Sequence, residues 1–172
     1  KKMIALEHDG QLKWISEALP QNFYREGSLQ GGSGFKNARV TIADLDQDGT
    51  PEILVGWGRN GVGYSVFDNQ GMLLETIEVE GLKSSGQNAN TEVVDLDLDG
   101  DPEIVIGSAA FSHDGELLWS RNDIKSNSVG YHNPIAVNLD GDPYPELVRR
   151  TITGFGSRAN TIVAWNHDGT DL

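Results

Sequence analysis

The fold is decided by an acidic stretch that reads VTIADLDQDGTPEILVG over residues 40–56. It returns as EVVDLDLDGDPEIVIG over residues 92–107 and as IAVNLDGDPYPELV over residues 135–148. The acidic parts begin at positions 44, 95 and 138, which are 51 and 43 residues apart. In each copy, a loop rich in Asp and Gly separates two short runs of Val, Ile and Leu, which predicts two strands joined by a tight connection.

A second motif alternates with the first. It reads LEHDGQLKW over residues 6–14, FDNQGMLL over 67–74, FSHDGELLW over 111–119 and WNHDGTDL over 165–172. The Asp-Gly pair predicts a two-residue hairpin turn, because such turns need positive φ. Together the motifs give four antiparallel strands every 40–50 residues or so, which is the period of a β-propeller blade.

The predicted fold class is therefore all-β, a β-propeller of four-stranded antiparallel blades. We expect a single propeller segment over residues 1–172, with two full and two partial blades. The predicted boundaries are the end of one blade at 1–19, blades at 38–81 and 91–121, and an incomplete blade at 134–172. Propellers usually have about 4–8 blades, so we expect a segment of a longer chain; completion of the ring by other subunits is the alternative.

Composition excludes several function classes. The chain has 172 residues, with 26 acidic and 13 basic side chains and a formal net charge of −13. Such a chain is repelled by phosphates, so we expect no nucleic-acid partner. No apolar run approaches about 18 residues, so we expect no membrane insertion. Cysteine is absent, which excludes disulfides and cysteine catalysis. The first residues do not resemble a signal peptide.

The acidic loops predict metal sites. Asp at positions 1, 3 and 5 with Gly at 6 resembles an EF-hand loop, but strands flank it and the Glu returns at position 9 instead of 12. Side-chain oxygens at 1, 3, 5 and 9, with a backbone carbonyl at 7, can surround Ca²⁺, which takes about 6–8 oxygens; Mg²⁺ prefers fewer protein ligands. Without a cation, so many carboxylates would repel one another strongly. The predicted ligands are Asp44, Asp46, Asp48, Thr50 and Glu52 in cage 1, Asp95, Asp97, Asp99, Asp101 and Glu103 in cage 2, and Asn138, Asp140, Asp142, Tyr144 and Glu146 in cage 3.

Cage 3 departs from the pattern at two positions. Asn138 replaces the first Asp, although its amide oxygen can still bind a cation. Pro143 replaces the turn glycine at position 6, and proline cannot adopt positive φ. We expect cage 3 to fold differently or to bind less tightly, and the sequence leaves its occupancy open.

These three stretches resemble the FG-GAP and VCBS repeats of integrin-α-like β-propellers, over most of the chain. Glu at position 9, where integrins favour Asp, is similar to the bacterial versions. The resemblance implies structural Ca²⁺ and a location that is extracellular, at the cell surface or periplasmic. It also implies a role in adhesion or polysaccharide handling. The propellers of rhamnogalacturonan lyases look similar in their cage loops and are the second candidate family.

The loops opposite the cages are the predicted ligand face, because the cations and aromatic residues concentrate there. Arginine beside an aromatic ring can hold an acidic glycan by stacking and by bidentate contacts. The alternative is that these are ordinary rim residues. The candidate ligand-binding residues are Trp57, Arg59, Tyr131, His132, Arg149, Arg150 and Arg158.

The function predicted first is a non-catalytic binding or adhesion module, with a glycan or an extracellular protein as partner. No catalytic residue is assigned, because no isolated acid–base pair stands out and no nucleophile elbow or His-Glu-x-x-His motif is present. Whether the chain belongs to an enzyme stays open. The alternatives are the propeller portion of a polysaccharide lyase and a purely structural spacer.

Overall fold

The computed structural model of the protein describes residues 2–18, 40–58, 62–79, 91–121, 134–152 and 160–172. These residues form thirteen β-strands and no helix, which confirms the predicted all-β class. No helix in this described part has the length and apolar character that a membrane crossing requires.

The strands form four antiparallel sheets, which we number in chain order. Sheet 1 has two strands, β1 (Ile4–Leu6) and β2 (Leu12–Ile15). Sheet 2 has four strands, β3 (Val40–Ala43), β4 (Glu52–Gly58), β5 (Val62–Phe67) and β6 (Leu73–Val79). Sheet 3 also has four, β7 (Thr91–Val94), β8 (Glu103–Ile106), β9 (Ala109–Phe111) and β10 (Leu117–Ser120). Sheet 4 has three, β11 (Ile135–Val137), β12 (Glu146–Ile152) and β13 (Asn160–Trp165).

Every hydrogen-bonded pair of strands is consecutive in the chain, so each sheet is a simple meander. The four-stranded sheets are those of a propeller blade, as the sequence predicts. Across the described residues the sheets form part of a ring that does not close.

The core lies between neighbouring sheets. Strand side chains alternate between the two faces of a sheet, so apolar residues at every second position build each contact. Leu54 and Tyr64 of sheet 2 pack against Ile104 and Phe111 of sheet 3, and all four are buried. The Tyr64 and Phe111 rings meet edge to face with centroids 5.5 Å apart. A second cluster joins sheets 3 and 4, and its buried members are Leu96, Val105, Ala110, Leu147 and Trp165.

The glycine turns of the second motif, three Asp-Gly and one Gln70-Gly71, are longer than predicted. Only the glycine has positive φ, with values of 84°, 83°, 87° and 83° in the four copies. In the first copy, Gly10 N–H donates to the Glu7 carbonyl over 2.9 Å, and Glu7 N–H donates to the Gln11 carbonyl over 2.8 Å. The predicted two-residue turn is therefore wrong: three residues form the loop, a type I turn followed by a glycine that closes the bulge.

These turns also dock one sheet on the next. Trp14 Nε1 of sheet 1 donates to the Asn69 carbonyl over 2.8 Å. Trp119 Nε1 of sheet 3 donates to the His167 carbonyl over 3.0 Å. A Cβ at Gly71 would lie 2.8 Å from the Trp14 ring, and one at Gly169 would lie 2.8 Å from the Trp119 ring. Glycine is thus required twice at these positions, for its positive φ and for the close approach of an indole.

Candidate metal centres

All three cages share one anchor. The position-9 glutamate is buried, with 8% exposure at Glu52, 5% at Glu103 and 1% at Glu146. In each cage its Oε2 accepts the backbone N–H of position 2. The distances are 2.8 Å from Leu45 to Glu52, 2.5 Å from Leu96 to Glu103 and 2.5 Å from Leu139 to Glu146. This bond ties the end of the first strand of a blade to the start of the second.

The middle of each cage is a chain of Asx turns. In cage 1, Asp48 N–H donates to Asp46 Oδ1 over 3.1 Å, and Thr50 N–H donates to Asp48 Oδ1 over 2.7 Å. Cages 2 and 3 repeat both bonds, at 3.2 and 2.8 Å and at 3.0 and 2.8 Å respectively. As a result three acidic side chains of each cage can bring one oxygen each within 4.8 Å of the others.

Cages 1 and 2 have positive φ at positions 4 and 6. Position 4 is Gln47 with φ 58° and Leu98 with φ 62°, and position 6 is Gly49 with φ 87° and Gly100 with φ 104°. The position-6 N–H then points back and donates to the position-1 carboxylate. The N–O distances are 3.0 Å to Asp44 Oδ2 and 3.2 Å to Asp95 Oδ2.

The other oxygen of that carboxylate is the observation that fits a metal. Asp44 Oδ1 and Asp95 Oδ1 are both buried and have no hydrogen-bond partner. A buried acceptor without a donor costs about 1–3 kcal/mol, and more when it is charged. A cation in the cage would satisfy both oxygens. The donors are all hard oxygens, which suit Ca²⁺ or Mg²⁺ rather than a soft metal. Cages 1 and 2 therefore fit a divalent cation.

The electrostatics of these two cages point the same way. Burial raises the pKa of Glu52, and the nearby Asp46 and Asp44 raise it further, against the lowering effect of the Leu45 N–H. Burial likewise raises the pKa of Glu103, with the neighbouring aspartates adding to it. The aspartates thus add negative charge around each glutamate, and a bound cation would offset it.

Cage 3 satisfies its own polar groups. Gly141 at position 4 has φ 89°, whereas Pro143 at position 6 has no N–H to donate. Asn138 Oδ1 instead accepts the Gly141 N–H over 2.9 Å, and Asn138 Nδ2 donates to the Asp142 carbonyl. The predicted departure at Pro143 thus changes the bonding of position 1, although the anchor and the Asx turns survive.

The covering of the cages also differs. The position-2 leucine is buried in the first two cages, at 4% exposure for Leu45 and 2% for Leu96, because each packs under the following sheet. Leu139 of cage 3 is 52% exposed. Ile135 and Val137, on the strand leading into cage 3, are also exposed. Within the described residues no sheet covers this side of sheet 4.

One side-chain contact between cages was not foreseen from the sequence. Gln47 of cage 1 uses Nε2 to donate to Asp101 Oδ1 over 3.1 Å and to the Gly100 carbonyl, both in cage 2. A glutamine at position 4 carried no sequence signal for this, because the contact depends on how sheets 2 and 3 are placed side by side.

The predicted ligand face is only partly described, and three of its predicted loop residues lie in strands. Arg149 was predicted to begin a loop, but it lies in β12 and is only 3% exposed; the strand continues to Ile152. Trp57 lies in β4 and Arg150 in β12, so both are strand residues rather than loop residues. The remaining candidates, Arg59, Tyr131, His132 and Arg158, lie outside the described residues.

Comparison with protein families gives one match. Residues 44–106 match the FG-GAP-like repeat. The matched span contains cages 1 and 2 and the strands between them, so the resemblance inferred from these residues is confirmed there. A comparison with curated proteins found no match.

Solved structures with the same fold include a biofilm matrix protein and two lyases. The V. cholerae biofilm matrix protein Bap1 is 22% identical, with a TM-score of 0.66 over 98% of this chain and 23% of that one. Rhamnogalacturonan lyase YesW is 19% identical, with a TM-score of 0.65 over 94% of this chain and 30% of that one. The exotype rhamnogalacturonan lyase YesX is 18% identical, with a TM-score of 0.63 over 94% of this chain and 29% of that one.

The chain therefore spans between about a quarter and a third of the length of these structures. At such low identities the likeness shows a shared β-propeller fold, which hosts several functions.

Proposed function

We propose that this chain is a calcium-stabilised β-propeller segment that acts outside the cytoplasm as a non-catalytic binding or adhesion module, with carbohydrate as its ligand. The single observation that carries the calcium assignment is the pair of buried, unpartnered oxygens, Asp44 Oδ1 and Asp95 Oδ1. A location outside the cytoplasm fits the same assignment, because roughly millimolar extracellular Ca²⁺ would keep such sites filled.

The role proposed for calcium is structural. A bound divalent ion would offset two of the four negative charges at positions 1, 3, 5 and 9 in each of cages 1 and 2, and it would hold together the two strands that each cage joins. At about 2 mM Ca²⁺ and a Kd of about 10⁻⁴ M, the roughly twentyfold excess adds about 1.8 kcal/mol per site if the ion binds only the folded state. For a domain of this size, that corresponds to roughly 4–7 °C in Tm for each site.

The test of calcium binding is thermal unfolding, read by circular dichroism, in excess EGTA and in ~2 mM CaCl₂, which matches extracellular calcium levels. We expect EGTA to lower Tm by about 10 °C or more, and CaCl₂ added back to restore it. The matched control replaces Asp44 and Asp95 with asparagine, which keeps the size of the side chains and removes both charges. That variant should respond only weakly to EGTA. Equal melting curves of the wild type with and without chelator would refute the assignment.

The binding role is supported by the proteins that share this fold. One structural neighbour is a biofilm matrix protein, and two act on a polysaccharide. The carboxylates of the three cages are engaged as Asx-turn acceptors, as anchors or as candidate metal ligands, which leaves none of them free for acid–base chemistry. This favours binding over catalysis for the segment itself.

A polysaccharide lyase portion is the second candidate, favoured by the likeness to YesW and YesX. A glycan array and a rhamnogalacturonan cleavage assay on the same calcium-loaded protein separate the candidates. Binding without cleavage supports the module, and cleavage supports the lyase. If the protein neither binds a glycan nor cleaves rhamnogalacturonan, the structural spacer is the remaining candidate.

A further inference from the structure

A buried arginine lies on the face of sheet 4 that packs against sheet 3. Arg149 is 3% exposed, and its Nε and both terminal nitrogens have no hydrogen-bond partner. An ionised side chain that is buried without a partner is strongly unfavourable for a folded protein. Burial lowers the pKa of its guanidinium, but arginine stays protonated even so. The positive charge therefore calls for a negative partner.

A second unpaired donor lies beside it. Trp165 is fully buried, and its Nε1 has no hydrogen-bond partner. In the register of β12 and β13, Arg149 is opposite Val163 and Leu147 is opposite Trp165. Arg149 and Trp165 are thus diagonal neighbours on one face of sheet 4. The Arg149 guanidinium carbon lies 5.9 Å from the centre of the Trp165 ring.

The same interface contains a paired arginine for comparison. Arg121, at the end of sheet 3, donates to Asp171 Oδ1 over 2.6 Å and to the Gly169 carbonyl over 2.8 Å. Within the described residues, no acidic side chain makes an ion pair with Arg149. The two arginines therefore differ: the more exposed Arg121 is paired with a carboxylate, and the buried Arg149 is not.

We propose that the interface between sheets 3 and 4 contains a binding site for a small carboxylate anion, held by the guanidinium of Arg149 and the indole N–H of Trp165. A guanidinium binds a carboxylate through two parallel hydrogen bonds, and the indole N–H adds a third donor. The ring beside the guanidinium contributes a weak attraction to the cation. The carboxylate is either a free organic acid or part of an acidic sugar. The inference deepens the proposed carbohydrate binding. It rests on that proposal only if the carboxylate belongs to an acidic sugar.

The first test uses sodium acetate as the probe, in a chloride-free buffer with saturating calcium. Saturating acetate should raise the Tm of the wild type by about 5 °C. Arg149→Met removes the charge at a similar length, so it should melt above the wild type without acetate and show no acetate response. Arg121→Met is the matched control and should keep the acetate response. A wild type that ignores acetate, together with an Arg149→Met variant that melts lower, would overturn the proposal.

Two further variants keep the test informative if Arg149→Met does not fold. Trp165→Phe retains the ring and loses the N–H, so calorimetric titration should show acetate bound about tenfold more weakly. Arg149→Lys retains the charge and loses the paired donors, and it should also bind acetate more weakly than the wild type. Acetate affinity unchanged in both variants would place the anion elsewhere and refute the site.

The source of the carboxylate is distinguished with galacturonate and galactose, which share a sugar ring but differ in the acid group. Binding of galacturonate and not of galactose supports an acidic sugar as the source. Binding of acetate alone supports a free organic acid, and the site then stands even if the glycan array is negative. Equal binding of galactose and galacturonate would overturn the carboxylate assignment.

Discussion

Cages 1 and 3 use the same nine positions and reach different states. Both have the buried glutamate anchor and the run of Asx turns. Cage 1 leaves Asp44 Oδ1 buried without a donor, whereas the Asn138 amide of cage 3 bonds to Gly141 and Asp142. The first loop is therefore incomplete without a cation, and the third completes itself. Cage 2 follows cage 1 in each respect, since Asp95 Oδ1 is also unpartnered.

The difference teaches that a cation site depends on what is left unsatisfied, and not only on the number of acids. Cage 3 still places Asp140, Asp142 and Glu146 close together. It lacks the aspartate at position 1 and the glycine at position 6 and, among the residues that the structure describes, a sheet over Leu139. Each of these can be changed separately.

The largest effect is expected from Gly100→Pro, which gives cage 2 the proline of cage 3. Gly100 has φ 104°, and its N–H donates to Asp95 Oδ2; proline can do neither. Calcium affinity of cage 2, measured by calorimetric titration, should fall by more than about 100-fold, for a loss of about 3 kcal/mol. Gly100→Ala is the control: no atom lies within 4 Å of its Cβ, so it should lose only about fivefold through strain. If Gly100→Pro binds calcium as tightly as the wild type, the residue at position 6 does not explain the difference between cages 2 and 3.

The next largest effect concerns the leucine at position 2 of the cage. Leu96→Ala removes a side chain that is 2% exposed, so the free energy of unfolding should fall by about 3 kcal/mol. Leu139→Ala removes the corresponding side chain of cage 3, which is 52% exposed, and should cost less than about 1 kcal/mol. Urea denaturation in saturating calcium measures both. Equal losses would mean that Leu139 is buried by a part of the protein beyond the described residues.

A smaller gain is expected from repairing cage 3. Asn138→Asp together with Pro143→Gly restores the charge at position 1 and the N–H at position 6. The calcium affinity of this cage should rise by about tenfold or more, since a charged hydrogen bond and a ligand charge are regained. Calorimetric titration should then fit three sites of similar strength. If the double variant gains nothing, the missing cover over Leu139 is the limiting difference.

The smallest effect is expected at the link between cages. Gln47→Met keeps the length of the side chain and removes the hydrogen bonds to Asp101 and Gly100. Calcium affinity of cage 2 should fall by less than about fivefold, because both hydrogen bonds are exposed to solvent and contribute little. Leu98→Ala, at the same position of cage 2, is the control and should leave cage 3 unaffected. An unchanged cage 2 in Gln47→Met would show that the two cages bind independently.

The fold class could be predicted because its signals are local and repeated. Apolar runs flank each acidic loop, and a glycine sits at the end of each Asp-Gly turn, so strands and turns follow from neighbouring residues. The finer backbone could not be predicted. Leu98 has φ 62°, a value that leucine seldom adopts, so its residue type gave no warning of a second left-handed position in the cage.

The error at Arg149 has a different cause. Its sequence neighbours suggested the start of a charged loop, but it lies buried in a strand, beside Trp165 of the next strand. Such contacts join parts of the chain that are distant in sequence. By contrast, the grouping of the acidic cage ligands could be predicted, because the residues of each cage lie within nine sequence positions.

The meander of consecutive strands has a consequence for how the chain folds. No described sheet needs a strand from elsewhere in the chain, so each can form from local contacts. The links between sheets span larger separations, 55 residues from Trp14 to Asn69 and 48 from Trp119 to His167. Units that contact only their neighbours can form one after another. During synthesis, each sheet would have its predecessor already in place to dock on.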